Sequence, residues 1–298
     1  MKHIWRAIVI ILVVGFVLTI VGFSLGANYH GFYLNKNGFN FNNREQFTTQ
    51  QLDLENITDI TIDVLSYDVR FVAANNYGYL IKGQQPDDIR CEFQDGKLVI
   101  IQSKELFQNN FFSFFNFGFQ PSDYIEIYLP ADAVLNTIDI KAVSGDLKVD
   151  KLNSDKVYLQ LMSGDVRLGE FNGKYFMVKA TSGNVKIENG NVDTIDLTLL
   201  SGDLSVTQLT CQQFIADMTS GNINVRGAIK GDIRIKALSG DIRLQLDGQQ
   251  QDYNRNITVL SGDVYINRDK GGGRVDFNGP YNIDINATSG NVRIDFLP

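Results

Sequence analysis

A tripeptide recurs along the C-terminal half of the chain at nearly constant spacing, and it restricts the fold more than any other feature. Ser-Gly-Asp or Ser-Gly-Asn begins at Ser144, Ser163, Ser182, Ser201, Ser220, Ser239, Ser261 and Ser289. The first five intervals are 19 residues each, and the last two are 22 and 28. A fixed short period is the mark of stacked supersecondary units. Aligned on the Ser, the third following residue is always aliphatic (Leu147, Val166, Val185, Leu204, Ile223, Ile242, Val264, Val292), and so is the fifth (Val149 to Ile294). Polar residues alternate with them, so each repeat holds a strand of period two. A second alternating row, such as Val157, Leu159 and Leu161 or Ile195, Leu197 and Leu199, marks another strand before each corner.

A lone coil cannot bury such an inward row, but neighbours stacked at the inter-strand spacing can. The expected fold is all-β: a β-solenoid of 19-residue coils, two short strands per coil, joined at Ser-Gly-Asp/Asn corners. Gly145, Gly164, Gly183, Gly202, Gly221, Gly240, Gly262 and Gly290 fill the corner position where a chain turns through positive φ. The neighbouring Asp or Asn supplies a side chain able to hydrogen-bond the turn.

The N-terminus carries a different signal. Ala7 to Leu25 is a 19-residue uncharged run preceded by Lys2 and Arg6, which matches the length and charge asymmetry of a single transmembrane helix with a cytoplasmic tip. A cleaved signal peptide is the rival reading; its apolar part is shorter, and Ser24-Leu25-Gly26 imitates a cleavage site only fairly. With Lys2 and Arg6 set aside, 25 basic residues face 34 acidic ones, a formal charge of −9 for the exported remainder. That balance argues against nucleic acid as a partner.

The expected organisation follows. Residues 1–27 form tip and anchor, 28–46 a juxtamembrane linker, 47–142 degenerate coils acting as a cap, and 143–298 the regular solenoid, with 47–298 continuous. Ser66-Tyr67-Asp68 reads as a decayed corner. Gln249 to Gln251 and Gly271 to Gly273 read as insertions at the edge opposite the corner. Within the cap, residues 106–120 hold seven phenylalanines, among them Phe111, Phe112, Phe114, Phe115, Phe117 and Phe119. They are either an exposed aromatic docking patch or a loop folded over the open end of the core.

Few residue patterns suggest chemistry. The only histidines, His3 and His30, flank the apolar run, so a Ser-His-Asp arrangement on the repeats is unavailable. Asp146, Asp165, Asp203, Asp241 and Asp263 fall along one edge, as a hydrogen-bonded ladder or as a weak calcium candidate. Wherever the corner ends in Asn, the residue before the Ser is Thr (Thr181, Thr219, Thr288). Lys148, Arg167, Lys186, Arg243 and Arg293 form an outward basic column able to meet an anionic wall polymer or to pair with adjacent carboxylates. Cys91 and Cys211 read as buried thiols rather than a disulfide.

The run Tyr124-Ile-Glu-Ile-Tyr-Leu-Pro130, then Ile138-Asp-Ile-Lys-Ala-Val-Ser-Gly-Asp146 and the serial corners, resembles the bacterial "putative adhesin" domain family of unknown function over roughly residues 50–298. The basic tip and the span ending in Gly22-Phe-Ser-Leu-Gly26 are similar to its membrane-anchored, LiaG-like members. The resemblance implies a β-solenoid at the cell envelope, associated with envelope-stress systems, and brings no catalytic residue. The expected function is that of a non-enzymatic, membrane-anchored extracytoplasmic scaffold or adhesin-like protein without a cofactor, bound to an envelope protein or wall polymer. A polysaccharide-degrading solenoid and a regulatory sensor of envelope damage are the alternatives.

Overall fold

The computed structural model describes residues 15, 33–35, 38–40, 47–83, 89–102 and 123–297. The expected membrane span at 7–25, except Gly15, and the phenylalanine-rich run lie outside them. Among the described residues no helix is long and apolar enough to cross a membrane. The chain divides into two units, residues 1–45 with 105–121, and residues 46–104 with 122–298. In the first, β1 (Tyr33–Asn35) and β2 (Gly38–Asn40) pair antiparallel.

The second unit is one long sheet wound on itself. Its strands are β3 (Phe47–Leu54), β4 (Asp59–Ser66), β5 (Asp68–Ala74), β6 (Tyr77–Gly83), β7 (Ile89–Gln94), β8 (Lys97–Gln102), β9 (Tyr124–Pro130) and β10 (Leu135–Ser144). The regular coils follow as β11 (Leu147–Ser163), β12 (Val166–Ser182), β13 (Val185–Ser201), β14 (Leu204–Ser220), β15 (Ile223–Ser239) and β16 (Ile242–Asp247). The end is built from β17 (Tyr253–Ser261), β18 (Val264–Ile266), β19 (Asp269–Lys270), β20 (Gly273–Val275), β21 (Tyr281–Ser289) and β22 (Val292–Leu297).

Each coil has three inward stretches, not the two expected. In β11, Leu147 and Val149, then Leu152 and Ser154, then Val157, Leu159 and Leu161 point inward. Paired outward residues, 150–151 and 155–156, turn the chain between them. The middle column escaped the sequence pattern because it mixes sizes: Phe171 and Gly173, Gly190 and Val192, Leu209 and Cys211. A Cβ on Gly173 would stand 2.7 Å from the Phe171 ring, so one large side chain fills the space its small neighbour leaves. Cys211 is among these core residues, a free thiol that burial pushes up to about 12.

The coils do not stack in chain order. β4 lies between β8 and β10, so the first decayed coil is second in space and the β8/β9 coil is terminal. At the other end β21 lies between β15 and β17, and β22 between β16 and β18. The last coil in sequence is therefore next to last in space. The residues around 249–251 and 271–273 are parts of the connections that carry the chain past one layer and back. Antiparallel strands cover the terminal edges, β6 on β9 and β7 on β8 at one end, β20 on β17 and β19 on β18 at the other. Such covering keeps unpaired strand edges from templating other chains. Large side chains close the core ends: Tyr67 replaces the corner glycine and is buried, while Tyr253 donates to the Ile229 carbonyl at 2.8 Å and packs on Phe296.

At the corners backbone stacks directly on backbone. Gly202 has φ +131°, and a Cβ there would lie 2.0 Å from the Gly183 carbonyl oxygen. Gly248 has a similar φ of +140°, yet a Cβ would meet nothing nearer than 3.7 Å. The two positions separate conformational strain from collision. Gly202→Ala is expected to destabilise the fold by more than about 3 kcal/mol and Gly248→Ala by about 1–2 kcal/mol in urea denaturation; equal losses would show that φ alone makes the corner need glycine.

Candidate functional site

The Ser-Gly-Asp/Asn corners form one edge of the stack. From Gly164 to Gly240, and again at Gly290, the Gly N–H donates to the Ser carbonyl of the next coil, as from Gly164 to Ser182 at 3.2 Å and from Gly240 to Ser289 at 3.1 Å. Each Asp or Asn side chain accepts from the backbone N–H of the next corner. Asp165 N donates to Asp146 Oδ1 at 2.8 Å, Asn184 N to Asp165 Oδ1 at 2.9 Å, and Asn222 N to Asp203 Oδ1 at 2.7 Å. The relay continues in spatial order from Asp241 to Asn291 to Asp263.

Taken in that order, the corner residues from 165 onward alternate strictly: Asp165, Asn184, Asp203, Asn222, Asp241, Asn291, Asp263. The exchange of the last two coils completes a rhythm that the chain order breaks. Each Asn also donates Nδ2 to the preceding Asp, at 3.2 to 3.3 Å. Asp146 and Asp165 are the one adjacent pair among the five candidate calcium ligands, and Arg167 spans them, Nη2 to Asp165 at 2.6 Å and Nη1 to Asp146 at 3.4 Å. Asn spacing and Arg167 thus relieve the repulsion a cation would otherwise have to relieve. Among the described residues no group of three or more His, Cys, Asp or Glu is placed to hold a metal.

The outward basic column is mostly neutralised where it stands. Lys148 meets Asp150 at 3.9 Å, Lys186 meets Glu188 at 2.9 Å, and Arg293 meets Asp295 at 2.8 Å. The ammonium of Lys186 holds the Glu188 carboxyl below its usual range by hydrogen bonding. Arg243, on an exposed position of the same column, stands beside Arg293 in register. The pattern also has an earlier member that the repeat spacing did not reach, Arg70, which is in register with Lys148, ion-paired with Asp68 and stacked on the Tyr124 ring.

The phenylalanine-rich candidates, Phe111 to Phe119, lie outside the described residues. Their flanks do not. β8 ends at Gln102 and β9 begins after Asp123, and these strands pair with β4 and β5 on either side of the Ser66-Tyr67-Asp68 corner.

A feature not singled out from the sequence runs beside the corners. The residue before each Ser points outward, as does the residue three before the Ser in β10 to β15. Between these columns lies an open groove of about 830 Å³, floored by Ala142, Leu161, Ala180, Leu199, Met218 and Ala237. One rim reads, in spatial order, Val143, Met162, Thr181, Leu200, Thr219, Leu238 and Thr288. Met162, Leu200 and Leu238 are 52–59% exposed, unusual for large apolar side chains. The facing wall is Lys141, Gln160, Lys179, Thr198, Asp217 and Lys236. The Thr–Asn correlation visible in sequence is thus a two-coil rhythm shared by rim and corner, and from Met162 and Asp165 onward it keeps both the exposed apolar groups and the carboxylates two coils apart.

Residues 57–295 match the model of the Toastrack DUF4097 family. The chain belongs to that family. The match takes in every coil of the Toastrack stack, both exchanged ends included. No curated protein matches it. Among solved structures, a "putative adhesin" from Bacteroides fragilis is 14% identical with a TM-score of 0.47, the alignment covering 84% of this chain and 98% of that one. Another "putative adhesin", from Parabacteroides distasonis, is 12% identical with a TM-score of 0.43 over 84% and 97%. A "putative lipid binding protein" from the same species is 17% identical with a TM-score of 0.40 over 86% and 98%.

The Toastrack ladder makes its own prediction. Asn222→Asp would put carboxylates in three consecutive coils and remove the Nδ2 bond to Asp203. We expect a loss of about 1 kcal/mol at neutral pH. Repulsion between exposed carboxylates is screened by salt, so the loss should shrink as ionic strength rises. Denaturation at low and at high salt checks both, and a loss unchanged by salt would count against the charge account.

Proposed function

We propose that this chain is a non-enzymatic, membrane-anchored scaffold of the cell envelope, adhesin-like in the sense that its solenoid holds an extended partner outside the cytoplasm. The observation that carries the reading is the unbroken ladder beside a continuous groove. Backbone groups and corner side chains are spent on holding coils together, and what remains outward is a long, shallow, periodic surface. Such a surface suits attachment along a length better than catalysis at a point, which needs convergent titratable groups. The carboxylates that chemistry would call on are tied to neighbouring N–H groups, Arg167 or Lys270. Support for the address comes from the apolar run at residues 7–25 behind Lys2 and Arg6.

A membrane-impermeant amine reagent applied to intact protoplasts tests this reading. The full-length protein should sediment with membranes, and the exposed Lys179 and Lys236 should be labelled without lysis. Labelling that appears only after lysis would place the solenoid inside the cell and end the proposal.

A further inference from the structure

The groove beside the corners allows the scaffold reading, on which this inference rests, to be taken to a class of ligand. We propose that it binds a linear acidic polysaccharide, laid along the stack with its acidic groups against Lys141 and Lys179 and the C–H faces of its sugars on the apolar rim.

Length comes first. The groove lining runs from Asp63 through eight coils to Asn286, which at ~4.8 Å per coil is about 34 Å. A trough of that length with no deep end suits a polymer better than a small molecule. Its period comes next. Met162, Leu200 and Leu238 recur every second coil with threonines between, a repeat of ~9.6 Å. β-1,4-linked sugars turn over at each linkage, so such a polymer also presents the same face once per two units. An extended peptide repeats every two residues, or ~6.6–6.8 Å, and would drift out of phase. It would also find no strand edge to pair with here, because the strands along the groove are paired to neighbours on both sides.

Charge decides the polymer's character. Lys141 and Lys179 stand two coils apart on the facing wall. Among the described residues Lys179 makes no ion pair, and Lys141 meets Asp139 at 3.7 Å. Lys148 and Lys186 belong to the outward column and do not line the groove; Lys186 is held by Glu188 at 2.9 Å, and Lys148 meets Asp150 at 3.9 Å. Along the wall Asp63 stands in register beside Lys141, the neutral Gln160 separates Lys141 from Lys179, and the neutral Thr198 separates Lys179 from Asp217. An anionic chain is therefore best received across β10 to β13.

Titration of full-length protein in detergent with a polymannuronate oligomer, a β-1,4-linked polyuronate, tests the inference against cellohexaose, polyglutamate and phosphatidylglycerol vesicles. Polymannuronate should bind, more weakly at higher salt, and Lys141→Gln with Lys179→Gln should weaken it about tenfold. The control pair Lys148→Gln with Lys186→Gln should change it by less than about twofold, since those side chains lie outside the groove lining. Absence of polymannuronate binding, equal losses in both pairs, or binding to polyglutamate or vesicles as tight as to polymannuronate would each overturn the inference. If it fails while the protoplast labelling still reports an external solenoid, the ligand class is wrong and the scaffold remains.

Discussion

The fold depends on how closely one coil's backbone can approach the next at the corner. With φ near +130° and no side chain, each corner glycine stands where a Cβ would be 2 Å from a neighbouring carbonyl. That contact lets the Gly N–H, the Asp or Asn N–H and the N–H that follows all reach acceptors in adjacent coils. Three bonds per corner hold the register, and a one-residue slip would turn the inward row outward. The buried rows supply the driving force, but the corner decides which residue lies over which.

Much of this was legible because Ser-Gly-Asp/Asn is a local device repeated at a fixed interval. The inward columns at three and five residues past each Ser follow from spacing, and Ser66-Tyr67-Asp68 shows as a corner by its own residues and by Val69 and Phe71 after it. The third inward stretch did not show, since Gly173, Gly190 and Ser154 carry no hydrophobic signal, and their role emerges only beside Phe171 and Leu209. The order of the coils was hidden too. Chain order is the natural assumption for a solenoid, and the longer intervals before Ser261 and Ser289 read equally well as loops.

That exchange also explains why the candidate site was only half visible. The Thr before each Asn corner is plain in the sequence, yet it becomes a regular rhythm only when Ser289 is set ahead of Ser261. The basic column was visible as a column, but pairing with Asp150, Glu188 and Asp295 is a matter of side-chain placement two residues away. Sequence spacing located the outward charges without telling which were already satisfied. The groove needed the register of neighbouring strands, since its rim and wall belong to different coils.

The exchanged C-terminal coil bears on how the stack responds to force. β21 and β22 are held by ladders on both sides, so the end of the chain is not the outermost layer. A pull on the outermost strand of an ordinary solenoid unzips it, one hydrogen bond after another. A pull on this C-terminus along the strands loads two ladders together in shear, and the bonds must yield collectively. Forced unfolding is set by the height of that barrier rather than by equilibrium stability. The last strands of the chain are thus fixed by cooperative shear where an outermost strand would be fixed by single bonds in turn.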